Sequence, residues 1–157
     1  MDRKRTVGLI AGAAVAAAAV IGAHFEGVRL HTYHDIAGIP TICYGHTKGV
    51  KDGQTATPAQ CRAWLQQEMD AANAKVHECI RKPMTLGQEV AFTDAVYNAG
   101  PKIVCHSTLN RLANEGHMIA ACKQLARWVY AGGKKQPGLV KRRGTEMRVC
   151  LGEPVIQ

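Results

Sequence analysis

The first 23 residues of the chain combine a short basic flank with a long run of uncharged residues. Arg3, Lys4 and Arg5 precede residues 7–23, and those 17 residues contain no charged side chain. A basic flank in front of an apolar stretch predicts that the amino end stays in the cytoplasm while the remainder is exported. The chain is therefore expected to fold, and to stay folded, outside the cytoplasm.

The uncharged run is only weakly apolar, since eight of its 17 residues are Ala and three are Gly. As a helix it would extend about 25 Å at ~1.5 Å per residue, which is short of a hydrocarbon core of ~30 Å. Three structures remain open: a cleaved signal peptide, a marginal membrane anchor and a buried Ala-rich helix of a soluble domain. Taken alone, the length and the small residues near position 23 favour the cleaved signal peptide.

Six cysteines lie far apart in the chain: Cys43, Cys61, Cys79, Cys105, Cys122 and Cys150. None belongs to a C-x-x-C pair, which is the spacing that structural zinc sites use, so we expect no metal and no cofactor. An even number of well-separated cysteines is instead typical of structural disulfides in an oxidising compartment. Export and disulfide formation thus point to the same location.

The charge balance predicts an anionic partner. Lys and Arg outnumber Asp and Glu by 20 to 12, which gives a formal net charge of +8. Nucleic acid, a lipid surface and an acidic cell-wall polymer would each satisfy such a charge. Because an exported, disulfide-bearing chain rarely meets nucleic acid, we expect no nucleic-acid partner.

A small β-hairpin is predicted near the start of the exported part. Residues 31–33 and 40–44 are rich in β-branched or aromatic side chains, and Ala37 and Gly38 between them are typical of a turn. The lobe that contains this hairpin is expected to cover about residues 24–60.

Helices are predicted for most of the remaining chain. Thr57 and Gln60 have the spacing of a capping box, and the apolar periodicity that follows continues to about residue 80. Thr85 and Gln88 repeat that spacing at the next helix start, and further helices are expected at 107–115, 117–130 and 138–150. The predicted fold is α+β and mainly α: the hairpin lobe, a long connecting helix (about 58–80), a helical lobe (about 81–151) and a tail at 152–157.

Two carboxylates around the hairpin have the properties that glycoside hydrolysis needs. One acid must stay protonated to donate to the leaving oxygen, and the other must be ionised to activate water. Glu26 follows an apolar stretch, whereas Asp35 lies in a polar turn beside His34, and Thr41 follows six residues later. Two acids at this spacing are common among solvated turns, so the pair alone is weak evidence.

A longer string of residues is more specific. Residues 26–30, 33–35 and 41–47 resemble the catalytic hairpin of the T-even phage lysozyme family, whose acid, aspartate and threonine fall on Glu26, Asp35 and Thr41 without a gap. The likeness continues through residues 97–100, 107–109, 124–134 and 137–143, so that it covers roughly residues 24–151.

The resemblance implies a lysozyme-like fold and a muramidase that cuts peptidoglycan between N-acetylmuramic acid and N-acetylglucosamine. Glu26 would be the general acid, while Asp35 would activate or stabilise the attacking water with help from Thr41, as in inverting relatives. His46 is expected to brace the hairpin rather than to react. Tyr97, Thr108 and Gln124 match positions that contact sugar.

One departure from the family concerns an arginine near the acid, which falls on Leu139 here. Arg142 or Arg143 could replace it, or no residue does. Catalytically inactive wall-binding proteins and chitinases are the alternatives to a muramidase, and the intact spacing of acid, aspartate and threonine argues against the first of them.

In this family the catalytic glutamate ends the first helix of the enzyme, and here the residues that would form that helix, about 17–25, lie inside the uncharged run. The chain in this respect resembles signal-arrest-release endolysins, which are exported uncleaved and held inactive at the membrane. The resemblance reverses the earlier preference and favours an uncleaved anchor. Residues 7–23 would span the host inner membrane once, with the amino end cytoplasmic and the catalytic domain periplasmic, until release frees a monomeric enzyme into the periplasm.

Some of these relatives are switched by a cysteine in the anchor, but no cysteine precedes Cys43 here. Refolding of the anchor is then the expected switch. Six cysteines allow about 15 pairings. Pairing in chain order is favoured, because each bond would join neighbouring elements of the expected fold.

Overall fold

The computed structural model describes the backbone of residues 3–155 and the side-chain surroundings of residues 12–155. The side chains of the basic flank and of residues 7–11, and the last two residues of the predicted tail, lie outside the described part. Within it the chain forms six α-helices and two small antiparallel hairpins, which confirms the predicted α+β, mainly α architecture. The elements are α1 (Arg3–Glu26), β1 (Arg29–His34), β2 (Pro40–Cys43), α2 (Pro58–Cys79), α3 (Leu86–Ala99), α4 (Thr108–Asn114), α5 (Met118–Gln124), β3 (Tyr130–Ala131), β4 (Lys134–Lys135) and α6 (Pro137–Cys150).

Helix α1 continues without interruption from the basic flank to Glu26 and ends at a glycine. Gly27 has a φ of 66°, a left-handed conformation that glycine adopts without steric cost, and its N–H donates to the carbonyl of Ala23 at 3.1 Å. The inner face of α1 packs against α2, α3 and α6 through four buried side chains: Ala14, Val15, Ala18 and Ile21. Among the described residues, no helix combines the length and the hydropathy that crossing a membrane requires.

The predicted helix starts at Thr57 and Thr85 are both present. In each case the threonine hydroxyl accepts from the backbone N–H three residues later, and the glutamine at that position accepts from the threonine N–H. These capping boxes fix where α2 and α3 begin. The two helices pack on each other and contribute residues to the core of the helical lobe.

A single helix over 117–130 was predicted, and this prediction was wrong. Helix α5 ends at Gln124, a short 3-10 turn follows, and the chain then enters the β3–β4 hairpin. Gly132 and Gly133, at the turn of that hairpin, have φ values of 58° and 74°. Two consecutive positive φ angles are what a tight hairpin turn needs, and they end any helical pattern.

All six cysteines lie in the described part and are paired in chain order, which is the pairing that the sequence analysis favours. The bonds join Cys43 to Cys61, Cys79 to Cys105 and Cys122 to Cys150. They tie β2 to α2, the end of α2 to the loop before α4, and α5 to α6. The first of them attaches the hairpin lobe to the connecting helix, and so fixes one wall of the cleft between the lobes.

Candidate active site

A cleft of about 720 Å³ lies between the hairpin lobe and the helical lobe. Four of the residues singled out from the sequence line it together: Glu26, Asp35, Thr41 and Tyr97. Glu68 on α2 lines the same cleft, and so do Tyr44 and Gly45 from the loop after β2. The cleft thus contains the predicted acid, the predicted base and a third carboxylate that the sequence analysis did not single out.

Glu26 reaches the cleft from the last position of α1 and is held there by an arginine of α6. Its Oε1 accepts from Nη1 of Arg142 at 2.5 Å, while Oε2 lies 3.6 Å from where a Cβ on Gly45 would stand. The Glu26 side chain keeps 29% of its surface exposed, whereas that of Arg142 keeps 3%. Of the two arginines that could replace the one falling on Leu139, Arg142 is therefore the one that contacts the predicted acid.

Arg142 is itself enclosed by buried carboxylates. Asp94 on α3 is fully buried and binds Arg142 through two bonds, Nε to Oδ2 at 2.9 Å and Nη2 to Oδ1 at 2.8 Å. Glu146, one turn along α6, lies 3.6 Å from Nε of Arg142 and pairs with Arg143. Burial lowers the pKa of Arg142, but Asp94, Glu26 and Glu146 together raise it above its ordinary value. The guanidinium is therefore permanently charged.

Asp35 is held by its own turn. Its Oδ1 accepts from the backbone N–H groups of Ala37 at 2.8 Å and Ile39 at 2.9 Å. Its own N–H donates to the carbonyl of Ile39 at 3.1 Å, which closes the turn between β1 and β2. The Asp35 side chain is half-buried, and these backbone hydrogen bonds hold its carboxylate within the turn.

Thr41 lies on β2 and is 3% exposed. Its hydroxyl donates to the carbonyl of Ile39 at 2.8 Å, which uses the hydroxyl proton and leaves the oxygen free to accept from a molecule in the cleft. Thr41 is paired with Tyr33 across the hairpin, so the register of the two strands sets its position.

His46 contacts structural partners at the edge of the cleft. Its Nδ1 lies 2.6 Å from Oε1 of Glu68, and its ring stacks on that of Trp64 with centroids 4.5 Å apart. Both partners belong to α2, so these contacts join the hairpin lobe to the connecting helix beside the disulfide. They are the kind of contact that the predicted bracing role of His46 requires.

Tyr97 joins the two walls of the cleft. Its hydroxyl donates to the carbonyl of Tyr44 at 2.6 Å, from α3 to the loop after β2. Burial, followed by the charge of Glu26, raises the pKa of Tyr97 well above its ordinary value, so the phenol stays neutral and remains a donor.

Thr108 and Gln124, the other two predicted sugar contacts, do not line this cleft. They lie in a neighbouring cavity of about 790 Å³, together with Lys102, Arg127 and Trp128. This cavity is separate from the cleft that contains Glu26, although Pro101 of the cleft and Lys102 of the cavity are adjacent in the chain.

Sequence reasoning missed Asp94, Glu146 and Glu68. Asp94 is three residues before Tyr97, and therefore on the same face of a helix, which could have placed a carboxylate near the cleft. No local pattern identifies its partner, because Arg142 is 48 residues away. Among residues 12–155, no three His, Cys, Asp or Glu side chains are grouped as a metal site would need.

Comparison with known proteins gives consistent results. The family model described as phage lysozyme matches residues 23–146. A SAR-endolysin of Bacteriophage PS119 is 38% identical over 156 residues, which covers 95% of this chain and 93% of the relative.

Two solved structures are similar over most of the chain. An endolysin from Escherichia coli O157:H7 phage FAHEc1 has a TM-score of 0.81 and 30% identity, and the match covers 90% of this chain and 94% of that one. The active form of the P1 phage endolysin Lyz has a TM-score of 0.79 and 26% identity, with 86% and 83% covered.

Proposed function

The chain belongs to the phage lysozyme family, and on that premise we propose that it is an endolysin that hydrolyses the β-1,4 bond between N-acetylmuramic acid and N-acetylglucosamine. The observation that carries this proposal is the pair of carboxylates in one cleft, of which Glu26 is held by a buried cation and Asp35 by backbone donors. Two carboxylates with such different surroundings can take the separate roles of acid and base.

Glu26 acts as the general acid in this proposal. With Oε1 bound to Arg142, Oε2 is the atom that carries the proton, and it lies beside Gly45 on the wall of the cleft. As the bond from C1 to the glycosidic oxygen breaks, this proton passes to the leaving oxygen. Glu26 is then left ionised against Arg142.

Asp35 and Thr41 act on the attacking water. The water adds to C1 from the face opposite the leaving group and gives one proton to Asp35. Its other hydrogen stays on the new hydroxyl group and is hydrogen-bonded to the Thr41 oxygen during the attack. The product then has the inverted configuration at C1. Proton exchange with solvent returns Asp35 to its ionised form and Glu26 to its protonated form.

The polymer would extend beyond the cleft. Tyr97 forms part of the wall beside the scissile bond, and the neighbouring cavity with Thr108 and Gln124 would receive a further part of the polymer. Its lining includes Lys102 and Arg127 and no Asp or Glu, which suits an anionic wall polymer. His46 would brace the hairpin lobe against α2.

Residues 7–23 would hold the exported chain at the host inner membrane before it becomes active. Ala14, Val15, Ala18 and Ile21 are buried against the enzyme, and they cannot at the same time face lipid. Because Glu26 ends the same helix, the acid reaches Arg142 only when α1 packs on the enzyme. Release from the membrane would therefore complete the active site and free a monomeric enzyme into the periplasm.

The test of the enzymatic activity is the turbidity of chloroform-treated Gram-negative cells. Wild-type protein should clear the suspension, Glu26→Gln should not, and Glu153→Gln, which changes an exposed acid near the carboxyl end, should clear it like wild type. Nuclear magnetic resonance of the first product formed from a defined oligosaccharide should show inversion at C1. If wild-type protein binds the wall without clearing cells, a wall-binding function replaces this proposal, and cleavage of chitin oligomers alone would indicate a chitinase.

The anchor is tested by fractionating cells that express the full chain. We expect protein of uncleaved mass in the membrane fraction, and the same mass in the soluble fraction after the membrane potential is collapsed. A periplasmic form that lacks about the first 23 residues would instead indicate a cleaved signal peptide.

A further inference from the structure

Glu26 belongs to a cluster of five charged side chains. Arg142 and Arg143 contribute two positive charges, while Glu26, Asp94 and Glu146 contribute three carboxyl groups, all connected by ion pairs. Asp94 and Glu146 are fully buried, so solvent cannot compensate a charge in this cluster. Fully ionised, the cluster would carry one negative charge more than it has positive charges.

A single cation so close to a general acid would oppose its function. An opposite charge within about 4–6 Å favours the ionised form of a carboxyl group by roughly one to three pKa units. A general acid, however, must hold a proton at the working pH. Arg142 at 2.5 Å from Glu26 would therefore position the acid and remove its proton unless another group balances the guanidinium charge.

Asp94 has the geometry of that balancing group. It accepts from Nε and Nη2 of Arg142 at 2.9 and 2.8 Å, whereas Nη1 donates to Glu26. Asp94 is fully buried, and its Oδ1 lies 3.5 Å from where a Cβ on Gly22 of α1 would stand. Glu68 and Lys75 on α2 and Asp35 of the hairpin line the same cleft as Glu26, and Glu146 on α6 lies 3.6 Å from Arg142.

We propose that Asp94 is a positioning residue that cancels the charge of Arg142, so that Arg142 orients Glu26 by hydrogen bonding without holding it in the ionised form. The inference rests on the proposed function, since it concerns the protonated acid of that reaction. It assigns to Asp94 a role in catalysis that is separate from its contribution to packing.

The test is the pH dependence of peptidoglycan hydrolysis by Asp94→Asn. Asn keeps the size of the side chain and removes the charge, so we expect the alkaline limb of the pH–rate profile to move to lower pH by about one unit or more. The loss at neutral pH should be in kcat and should be recovered at acidic pH. Glu89→Gln is the matched control, because Glu89 is also a buried carboxylate of α3 but pairs with His77 and Asn73, away from the cleft. Its profile should coincide with that of wild type.

A double variant, Asp94→Asn with Arg142→Gln, removes both charges together. If the two charges cancel in wild type, the alkaline limb of the double variant stays at the wild-type position, although the maximal rate falls because Glu26 loses its donor. The double variant also tests whether the two charges cancel if Asp94→Asn alone does not fold.

Three outcomes distinguish the possible failures. An unmoved limb in folded Asp94→Asn overturns the inference, and so does a limb in the double variant that moves upward by about a unit, since Arg142 would then act as an uncompensated cation. Wild-type protein that hydrolyses no peptidoglycan at any pH overturns the proposed function instead.

Discussion

Glu26 and Asp35 face the same cleft, but the contacts that hold them come from different distances along the chain. Glu26 is held by Arg142, which is 116 residues away and is positioned by a third helix through Asp94. Asp35 is held by backbone N–H groups two and four residues ahead of it, within a single turn. The first arrangement needs α1, α3 and α6 to be packed together, and the second needs only the hairpin.

This difference indicates which half of the active site depends on the state of the amino-terminal helix. The hairpin turn, with Asp35 and Thr41, is closed by its own hydrogen bonds and tied to α2 by a disulfide, and none of these contacts involves α1. Glu26 has no such local support, since the helix that carries it is also the segment proposed to lie in the membrane. In the proposed release mechanism, control through α1 would therefore act on the acid and leave the base in place.

The largest effect on stability is expected from Arg142→Met. This change leaves Asp94 and Glu146 buried without their shared cation, and removing one partner of a buried ion pair costs about 3–5 kcal/mol. Urea denaturation should show the loss, and turbidity clearing should be abolished. Lys141→Met is the control, because it adds the same side chain at the preceding, exposed position of α6. Equal stability of the two variants would mean that the buried ion pairs of Arg142 do not stabilise the folded protein.

A smaller effect is expected where α1 meets the enzyme. A Cβ on Gly22 would stand 2.5 Å from Cε of Met69 and 3.5 Å from Oδ1 of Asp94, so Gly22→Leu overpacks the interface, at a cost of about 1–3 kcal/mol. Clearing by purified protein should fall by roughly tenfold or more. Gly12→Leu adds the same apolar side chain to α1 where no atom lies within 4 Å, and its activity should be unchanged.

The comparison of the two Leu variants separates docking from membrane affinity. Both raise the hydropathy of the segment equally, so a loss of activity in both would indicate retention in lipid or in aggregates. A loss confined to Gly22→Leu would indicate that docking of α1 assembles the acid.

A third effect is a pH dependence of stability, and it arises only from the charged cluster that holds Glu26. Burial, and then the charge of Asp94, raise the pKa of Glu146 well above its ordinary value of 4.5. The folded protein thus keeps a proton that the unfolded chain releases, so this contribution to stability is present below about pH 4.5 and is lost as the pH rises towards the folded-state pKa. Glu146→Gln removes the dependence.

The free energy of unfolding of Glu146→Gln, relative to wild type, should therefore increase with pH by about 1.4 kcal/mol for each unit of the pKa shift. Urea titrations at about pH 4 and about pH 7 would measure it. Glu115→Gln, an exposed acid paired with Arg111, should give the same difference at both pH values. A flat difference for Glu146→Gln would mean that Glu146 is ionised in the folded protein.

Local patterns in the sequence account for the parts of the structure that local forces hold. The capping boxes at Thr57 and Thr85 form as predicted, since each depends on residues three positions apart. The hairpin around Asp35 also forms where β-branched and aromatic residues predict it. The second hairpin was missed because helical periodicity was extended through Trp128 into Gly132 and Gly133, whose positive φ angles no helix accepts.

The support of Glu26 could not be predicted in the same way. Arg142 was one of two arginines that the sequence left open, and the choice between them depends on which face of α6 meets α3. The spacing of Asp94 and Tyr97 could have placed a carboxylate near the cleft, but nothing local identifies Arg142, 48 residues later, as the partner of Asp94. Contacts between residues so far apart in the chain depend on how three helices pack, and local sequence patterns do not predict that packing.

The smallest effect on stability is expected from Asp35→Asn. The amide oxygen of Asn can accept from the N–H groups of Ala37 and Ile39 as the carboxylate does, so the free energy of unfolding should change by less than about 0.5 kcal/mol. Hydrolysis should fall by roughly 10²–10⁴-fold, because the amide cannot take a proton from water. Asp52→Asn is the control, since Asp52 is an exposed acid of the same lobe that pairs with His34, and it should change neither quantity. A large loss of stability in Asp35→Asn would mean that the negative charge holds the turn. Asp35 would then depend on ionic contacts as Glu26 does, only less strongly. An unchanged stability with lost activity would show that the hairpin presents its carboxylate through backbone geometry alone, independently of the helices that assemble the acid.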